Sequence, residues 1–260
     1  MLRTGHELDT VAIRAGYERL AHRGGLGAAF ARRVIALAGH APGGRVADIG
    51  CGTGELLHEL AAAWPADELF GVDFAASRLQ SAAGLVDRRV TLIDADLGAR
   101  LPFADGMFDA LFCTEVLEHL KDPAACLREL RRLLAPGARL TLSVPNATGF
   151  APFHRLGALL PGAWLRGKLL PYEHPANTDQ PIDTCWTYGE IVALVRAGGF
   201  RVEAADGLAY FRYLEMLPAV RTGWRVVAPL AERLLPRLGG RRFAYHLLLR
   251  CRSAEPRGRA

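Results

Sequence analysis

Residues 46–55 read Val-Ala-Asp-Ile-Gly-Cys-Gly-Thr-Gly-Glu, and this stretch decides the fold. Its apolar start predicts a short buried strand, its alternating glycines a tight turn, and the residues from Glu55 onward a helix. Glycine has no Cβ, so a ligand can lie against bare backbone at the turn, and the amide N–H groups at the helix start favour polar or anionic groups. Asp48 is the polar exception in the apolar strand. The stretch therefore predicts a ligand-binding turn.

Strand and helix patterns alternate along the chain after this turn. Such alternation is typical of a parallel sheet covered by helices on both faces. The fold class that we predict is α/β, with a doubly wound, mostly parallel seven-stranded sheet. The predicted strands are 45–49, 68–72, 90–93, 108–113, 139–144, a strand beginning at 200–203, and 243–251; the predicted helices include 55–63, 76–84 and 123–134.

Changes of pattern divide the chain into five predicted parts. Residues 1–40 form an N-terminal helical flap, and residues 41–149 the α/β core. Residues 150–185 lack periodicity and contain many prolines and glycines, which predicts an insertion on the substrate side. Residues 186–253 complete the sheet and include a helical insertion, and residues 254–260 are a tail. Thr187 and Glu190 have the spacing of a capping box, which predicts a helix beginning there.

Composition limits the classes of function. The chain has 260 residues, 50% of them hydrophobic, and a formal net charge of +5, which fits one sizeable core. Its five cysteines include no Cys-x-x-Cys pair, so we expect a reducing compartment, no disulfide framework and no metal site. We see no secretion signal and no apolar run of about 18 residues, and predict a cytoplasmic protein. No basic groove with interleaved aromatic residues indicates nucleic-acid binding.

Polar and small residues follow the predicted strands. Gly50, Asp73, Asp96, Cys113 and Pro145 each lie where a strand ends. In open α/β sheets, ligands bind beyond the carboxyl ends of the strands. We therefore predict one site at this edge.

With these residues placed, the chain resembles the class I S-adenosylmethionine-dependent methyltransferases, a family with a Rossmann-like fold. Residues 48–54, Asp-Ile-Gly-Cys-Gly-Thr-Gly, resemble the loop under the methionine part of the cofactor. Residues 71–74, Gly-Val-Asp-Phe, and residues 96–97, Asp-Leu, resemble the second and third motifs. Residues 101–103, 108–109 and 113–119, the last reading Cys-Thr-Glu-Val-Leu-Glu-His, resemble the subgroup acting on small molecules and lipids, of which quinone-precursor methyltransferases are typical.

The resemblance implies S-adenosyl-L-methionine as cofactor and a role for each matching residue. Asp73 would bind the ribose hydroxyls, Asp96 the adenine amine and Leu97 the adenine ring, whereas His119 would act as base. The cofactor-binding residues implied are Asp48, Gly50, Cys51, Gly52, Gly54, Asp73, Phe74, Asp96, Leu97, Cys113 and Glu115.

Several of these residues have an alternative, purely structural interpretation. Asp48 would pin the glycine turn, Asp73 would cap the following helix, and Phe74 would belong to the core. Asp94 competes with Asp96 for the adenine. His119 would cap the next loop. Glu115 and Glu118 would be solvated acids at a helix edge, rather than residues that contact the cofactor's amino group or orient His119. No reactivity is assigned to Cys51.

The acceptor and the partners are predicted from the two remaining segments. The insertion offers His154, Tyr172 and His174 as contacts of a small or lipid-like substrate, with surface histidines as the alternative. The segment from residue 211 combines an apolar stripe with many arginines. That combination suits peripheral contact with an anionic membrane, and equally a helical layer packed on the sheet.

Two other classes of function are compatible with this sheet. One is a dinucleotide-dependent oxidoreductase, although its glycine spacing is G-x-G-x-x-G rather than the G-x-G-x-G found here. The other is a non-catalytic relative that binds the cofactor or a partner. We expect methyl transfer to a hydroxyl oxygen.

Overall fold

The structure is a computed structural model that describes residues 10–19, 27–39, 43–148, 182, 184–210, 218–235, 237–240 and 244–254. Its strands are β1 Arg45–Ile49, β2 Glu68–Asp73, β3 Val90–Asp94, β4 Phe108–Thr114, β5 Leu134–Pro145, β6 Phe200–Leu208 and β7 His246–Ser253. Its helices are α1 Thr10–Arg19, α2 Gly27–Ala38, α3 Glu55–Ala63, α4 Ala76–Leu85, α5 Pro123–Leu133, α6 Tyr188–Ala197 and α7 Pro218–Leu234, with a 3₁₀ turn at Leu117–His119.

The seven strands form one sheet in the order β3-β2-β1-β4-β5-β7-β6. Only β7 runs antiparallel to its two neighbours, β5 and β6. This confirms the predicted doubly wound, mostly parallel sheet. The strand order reverses between β1 and β4, and the crevice at such a reversal is where open α/β sheets bind ligands.

Each face of the sheet is covered by helices because alternate strand residues point to opposite faces. On β5, Leu140, Leu142 and Val144 are buried in the cluster that includes side chains of α5 and α6. On β7, Leu248 belongs to the opposite cluster, which includes side chains of α2 and α3. These two apolar layers fix the sheet and leave its edges free to carry polar residues.

Local capping signals position two of the helices. Asp122 caps α5 by accepting a hydrogen bond from Ala125 N at 2.8 Å, and Pro123 occupies its first turn. The predicted capping box is present: Thr187 N donates to Glu190 Oε2 at 2.8 Å, and Thr187 Oγ1 accepts from Glu190 N. These bonds satisfy amide groups that have no partner within the helix.

The fifth strand begins earlier than predicted. We expected it at residue 139, after a helix ending at residue 134, but β5 already pairs with β4 from Leu134 onward. The pairing shifts between Phe108 and Ala110, where Gly137 (φ +78°) lies in an irregular segment of β5. Residues 136–137, Pro-Gly, therefore form a distortion within the strand rather than a break before it.

The strands at the end of the sheet also differ in extent. β6 runs on to Leu208, and β7 is displaced toward the C-terminus relative to residues 243–251. Within the described ranges, no helix is both long enough and apolar enough to cross a membrane.

Candidate functional site

The glycine turn joins β1 to α3 in a left-handed conformation. Gly50, Gly52 and Gly54 have φ angles of +83°, +54° and +87°. The N–H groups of Gly50 and Cys51 both donate to the carbonyl oxygen of Val72, at 2.7 and 2.9 Å. The loop is thereby fixed to the end of β2, and glycine adopts these angles with little strain.

Only one of the three glycines leaves room above the loop. A Cβ on Gly50 would lie 2.3 Å from Val116 Cγ2, and one on Gly54 would lie 3.0 Å from Ala82 Cβ. A Cβ on Gly52 would meet a single neighbour, Arg78 Nη1 at 3.7 Å. Gly50 and Gly54 therefore serve close packing, whereas Gly52 presents bare backbone to the crevice.

Asp48 lies buried beneath the turn. Its Oδ1 has no hydrogen-bond partner among the described residues. Burial, followed by smaller contributions from the carboxylates of Asp73 and Glu55, raises the pKa of Asp48 to about 7. A buried carboxyl oxygen without a partner costs free energy, so Asp48 is a ready acceptor for a ligand's donor group.

Asp73 connects β2 with both the glycine loop and α4. Its Oδ2 accepts from Gly52 N and its Oδ1 from Ala75 N, each at 2.9 Å. The bond to Ala75 N lies just before α4, whose N-cap is Ala75, so Asp73 orders the turn before the helix rather than capping the helix itself. Ribose binding by Asp73 stays a prediction. Each carboxylate oxygen keeps a second lone pair, so the side chain can still accept from two neighbouring hydroxyl groups.

The two acids after β3 have different surroundings. Asp94 accepts hydrogen bonds from Arg14 at 2.6 and 2.8 Å. Asp96 is exposed and accepts from Gly98 N at 2.8 Å, and Leu97 beside it is buried. Because Arg14 occupies Asp94, Asp96 is the acid of this pair that remains open to a ligand.

Phe74 packs against the N-terminal helix α1. Its ring meets that of Tyr17 edge-on, with 5.6 Å between centroids, and Tyr17 Oη donates to Ile182 O at 3.0 Å. Phe74 is partly buried in this small cluster, which also includes Ile13. The contact agrees with the core interpretation of Phe74, and it ties α1 to this edge of the sheet.

Glu115 turns toward the antiparallel part of the sheet. Glu115 has a left-handed φ of +53°, and its backbone N–H donates to Ser143 O at 3.1 Å. Ser143 Oγ donates to Glu115 Oε1 at 2.7 Å, and His246 Nδ1 donates to Oε2 at 2.9 Å. Burial raises the pKa of Glu115, but His246 and Ser143 outweigh it and the net shift is downward.

This arrangement corrects the expectation for Glu115. Its carboxylate is not a solvated acid, since both oxygens bind side chains of β5 and β7. A contact of Glu115 with the cofactor's amino group stays a prediction. The Cys113 thiol is buried in the core and hydrogen-bonded to Cys126 of α5. The contact of Cys113 with the cofactor stays a prediction.

His119 ends the 3₁₀ turn after β4. Its Nδ1 lies 3.0 Å from Ile182 O, and its Nε2 lies 3.8 Å from Glu118 Oε1. A carbonyl only accepts, so Nδ1 carries the hydrogen and Nε2 the lone pair of the neutral ring. Burial lowers the pKa of His119 to about 4, against the opposite effects of Ile182 O and Glu115. The ring is therefore neutral at physiological pH.

Cys51 is the loop residue beside Gly52. Burial is the main cause that raises the pKa of its thiol well above the ordinary value, and Asp48 adds to the effect. The thiol remains protonated, in agreement with the absence of any assigned reactivity. Among the residues with described positions, no cluster of histidine, cysteine and acidic side chains could hold a metal ion.

With this geometry established, known proteins can be compared. Residues 47–142 match the family model described as "Methyltransferase domain". The chain is 34% identical over 176 residues to the "Ubiquinone biosynthesis O-methyltransferase" of Xanthomonas campestris pv. campestris (strain B100), covering 65% of this chain and 67% of that protein.

The chain belongs to the class I S-adenosylmethionine-dependent methyltransferases.

Solved structures confirm the fold of this methyltransferase. A putative methyltransferase in complex with the Haloferax volcanii Trm112 activator matches with a TM-score of 0.66 at 20% identity, over 95% of this chain and all of that one. The magnesium protoporphyrin IX methyltransferase of Synechocystis PCC 6803, with bound S-adenosylhomocysteine, matches with a TM-score of 0.56 at 20% identity, over 95% and 89%.

The residues at the switch point fit the family's cofactor. Gly52 offers uncovered backbone, Asp48 a buried acceptor without a partner, and Asp73 free lone pairs at the end of β2. These groups suit a ligand that carries amine and hydroxyl donors and lies along the loop. The predicted substrate contacts, His154, Tyr172 and His174, lie outside the described residues.

The methyltransferase site also includes residues that the sequence did not reveal. Tyr17 packs on His119, with 5.3 Å between ring centroids, and Arg78 of α4 approaches Gly52. His246 joins from β7. Tyr17 and His246 come from elements far along the chain, and none of the local motifs contains any of the three residues. Of these residues, only Arg78 follows a motif closely enough to be found by inspecting the turn after Asp73.

Proposed function

We propose that this methyltransferase transfers a methyl group from S-adenosylmethionine to a hydroxyl oxygen of a small or lipid-like acceptor. The observation that carries the proposal is the neutral His119, whose Nε2 lone pair is available for a hydroxyl proton. The O-methyltransferase named among the relatives supports the same chemistry. When bound, the cofactor supplies an electrophilic methyl group on a sulfonium.

In this reaction the chain's own residues would bind and orient the cofactor and would deprotonate the acceptor hydroxyl. Asp48, Gly52 and Asp73 would hold the ligand at the switch point, with Asp96 and Leu97 at its adenine end. His119 Nε2 would take the proton as the hydroxyl oxygen forms its bond to the methyl carbon. The methyl–sulfur bond would break in the same step, and S-adenosylhomocysteine would leave as the neutral thioether. Alignment of the reacting groups supplies about 7–11 kcal/mol of barrier reduction in such reactions, and a base about 10²–10⁴-fold in rate.

The low basicity of His119 restricts the acceptor. With a pKa of about 4, the ring draws a proton weakly from an alkyl alcohol. A phenol is already much more acidic, with a pKa of about 10. We therefore infer a phenolic hydroxyl as the methylated group, in which the weak base is sufficient to assist transfer.

The surface of α7 supports a lipid-like acceptor and contact with a membrane. Val226 and Leu230 on α7, and Leu238 in the turn after it, are exposed, with 79% of Val226 and 77% of Leu238 accessible. Arg233 and Arg237 lie beside them. The single acidic residue of α7, Glu232, points inward and accepts from Tyr210 N at 2.7 Å. An apolar ridge bordered by arginine suits an anionic bilayer surface.

The connection that contains α7 begins and ends at one edge of the sheet. β6 runs parallel to β5 and ends at the sheet's carboxyl edge, and β7 starts from that edge. Both ends of the connection that contains α7 therefore lie at the edge where the ligand would bind. On this proposal, the protein works in the cytoplasm against a membrane and receives its acceptor from there.

The function is tested by incubating the purified protein with methyl-labelled S-adenosylmethionine and a panel of mono- and dihydroxyphenols, with and without long alkyl chains. We expect label in an ether product. Label only in nitrogen- or carbon-methylated products would overturn the hydroxyl assignment. Calorimetry that shows no binding of S-adenosylhomocysteine, together with binding of a nicotinamide dinucleotide, would favour the oxidoreductase alternative.

A further inference from the structure

Arg78 lies beside the glycine loop. It lies in the first turn of α4, where its N–H donates to Ala75 O at 3.0 Å. Its Nη1 is 3.7 Å from the point at which a Cβ on Gly52 would stand. Apart from the chain neighbours of Gly52, no other heavy atom of the described residues lies within 4 Å of that point. Arg78 therefore borders the single open position above the loop.

The same guanidinium is close enough to influence His119. Four causes act on the pKa of His119, and the charge of Arg78 is the smallest of them, after burial, the hydrogen bond to Ile182 O and the charge of Glu115. The charge of Arg78 lowers that pKa. Arg78 therefore borders the loop, where the cofactor would lie, and its charge also acts on the ring that would meet the acceptor.

Within the described part of the chain, Arg78 has no ion-pair partner. Its Nε is buried and makes no hydrogen bond. Arginines on neighbouring elements are paired: Arg14 binds Asp94, and Arg89 binds Asp87. The nearby Asp73 instead uses its oxygens for the amides of Gly52 and Ala75. A guanidinium that lines a crevice without a partner is stabilised by an anion that arrives with the ligand.

We propose that Arg78 binds a carboxylate of the ligand that occupies this crevice. The planar fork of the guanidinium matches the two oxygens of a carboxylate and can form two parallel hydrogen bonds with it. The carboxylate has two sources, the amino-acid end of the cofactor or an acidic group on the acceptor. The inference rests on the proposed function, since both sources are ligands of that reaction.

The experiment compares two ligands that share the thioadenosine group. S-adenosylhomocysteine carries the amino-acid carboxylate, and 5′-methylthioadenosine does not. Their affinities are measured by calorimetry for the wild type, Arg78→Gln, Arg78→Lys and the control Arg89→Gln, an exposed arginine beyond α4. If the cofactor supplies the carboxylate, Arg78→Gln lowers the affinity for S-adenosylhomocysteine by about 10- to 100-fold. Binding of 5′-methylthioadenosine stays unchanged, and Arg78→Lys falls between because it keeps the charge without the fork.

The second arm tests the acceptor. The probes are 3,4-dihydroxybenzoate and its uncharged amide, titrated into the complex with S-adenosylhomocysteine. If the acceptor supplies the carboxylate, Arg78→Gln lowers the affinity for 3,4-dihydroxybenzoate only. The affinities for its amide and for S-adenosylhomocysteine stay unchanged. Equal affinities of wild type and Arg78→Gln for both carboxylate probes overturn the proposal, as does an equal loss for 5′-methylthioadenosine, which indicates a structural role.

Failure of this inference differs from failure of the proposed function. If the wild type labels a phenol but Arg78→Gln binds every carboxylate probe as well as the wild type, only the role of Arg78 is lost. If the wild type binds S-adenosylhomocysteine through Arg78 but methylates no hydroxyl compound, the carboxylate site stands and the hydroxyl assignment is lost.

Discussion

The carboxylate of Glu115 and the ring of His246 join the parallel and antiparallel parts of the sheet, with 2.9 Å between Oε2 and Nδ1. Glu115 lies at the carboxyl end of β4, and His246 is the first residue of β7. Only 14% of the Glu115 side chain and 9% of that of His246 are exposed. Ser143 on β5 completes the network by donating to the other carboxylate oxygen.

We predict that Glu115→Gln destabilises the protein by about 1–3 kcal/mol at pH 7, because a buried donor loses its ionised acceptor. Folding lowers the pKa of Glu115, so its contribution is complete above the ordinary carboxyl pKa of about 4.3 and is lost as the pH falls through the folded value. Urea unfolding at pH 7 and pH 3 measures the difference, which shrinks in acid. Glu59→Gln, which breaks a solvated pair with Arg32, is the control and changes stability by less than about 1 kcal/mol. A loss that is the same at both pH values would contradict the prediction.

Asp48→Asn has opposite effects on stability and on ligand binding. The folded pKa is raised to about 7, so ionised Asp48 destabilises the folded state increasingly as the pH rises from about 4 to 7. We expect the variant to be more stable than the wild type at pH 8, on the order of 2 kcal/mol, and no more stable at pH 4. Affinity for S-adenosylhomocysteine falls. Loss of stability at pH 8 would instead show that the carboxylate pins the glycine turn.

His119→Ala lowers kcat by about 10²–10⁴-fold if the ring acts as base. Because its pKa is about 4, the ring stays neutral across the physiological range, and the wild-type pH–rate profile shows no inflection near pH 6.5. Steady-state kinetics between pH 5.5 and 8.5 measure both effects. His58→Ala, an exposed histidine on α3, is the matched control and keeps full activity. An unchanged kcat in His119→Ala removes the base assignment.

Alanine at Gly50 and at Gly52 separates packing from ligand contact. Gly50→Ala places a Cβ 2.3 Å from Val116 Cγ2 at a left-handed φ, so we expect a loss of at least about 2 kcal/mol in stability. Gly52→Ala meets open space and costs about 1 kcal/mol for its backbone angle alone. Its affinity for S-adenosylhomocysteine falls by about tenfold, equivalent to about 1.4 kcal/mol. Thermal unfolding and calorimetry distinguish the two. If Gly52→Ala binds normally, no ligand lies against that backbone.

Leu230→Gln weakens binding to vesicles of phosphatidylcholine and phosphatidylglycerol by about tenfold, because a leucine leaves the apolar interface. Arg237→Gln weakens it by about fivefold, and this effect disappears with pure phosphatidylcholine. Co-sedimentation with vesicles measures both. Leu85→Gln, an exposed leucine on α4, is the control and binds as the wild type does. The exposed apolar surface of α7 could instead be a dimer interface. In that case Leu230→Gln lowers the mass measured by sedimentation and leaves vesicle binding unchanged, and this result would contradict the membrane proposal.

The local elements around the glycine turn were predictable because their causes lie within a few residues. β1 and α3 occupy the predicted bounds, since an apolar run followed by alternating glycines permits few other conformations. The capping box at Thr187 likewise depends on two residues three positions apart. The placement of Asp73 and Asp96 at strand ends then follows from the parallel sheet.

Long-range partners were not predictable. His246 is 131 residues from Glu115, and Ser143 is 28 residues away, so no motif connects the three. Cys113 matched a family motif, yet the alternation of strand faces directs its thiol into the core beside Cys126. Asp94 and Asp96 could not be distinguished from the sequence, and the structure separates them because Arg14 of α1 donates hydrogen bonds to Asp94 alone among the two.

The sequence by itself determined the kind of sheet, the glycine turn and the family, because backbone freedom and hydrophobic periodicity act over short distances. Only the tertiary structure decided which carboxylates remain available to a ligand. Among the described residues, Asp48 Oδ1 has no hydrogen-bond partner, Glu115 binds side chains of β5 and β7, and Arg78 borders the open position at Gly52. The physical reason is that the state of a charged group depends on burial and on neighbours that the strand order, rather than the order of the chain, brings together.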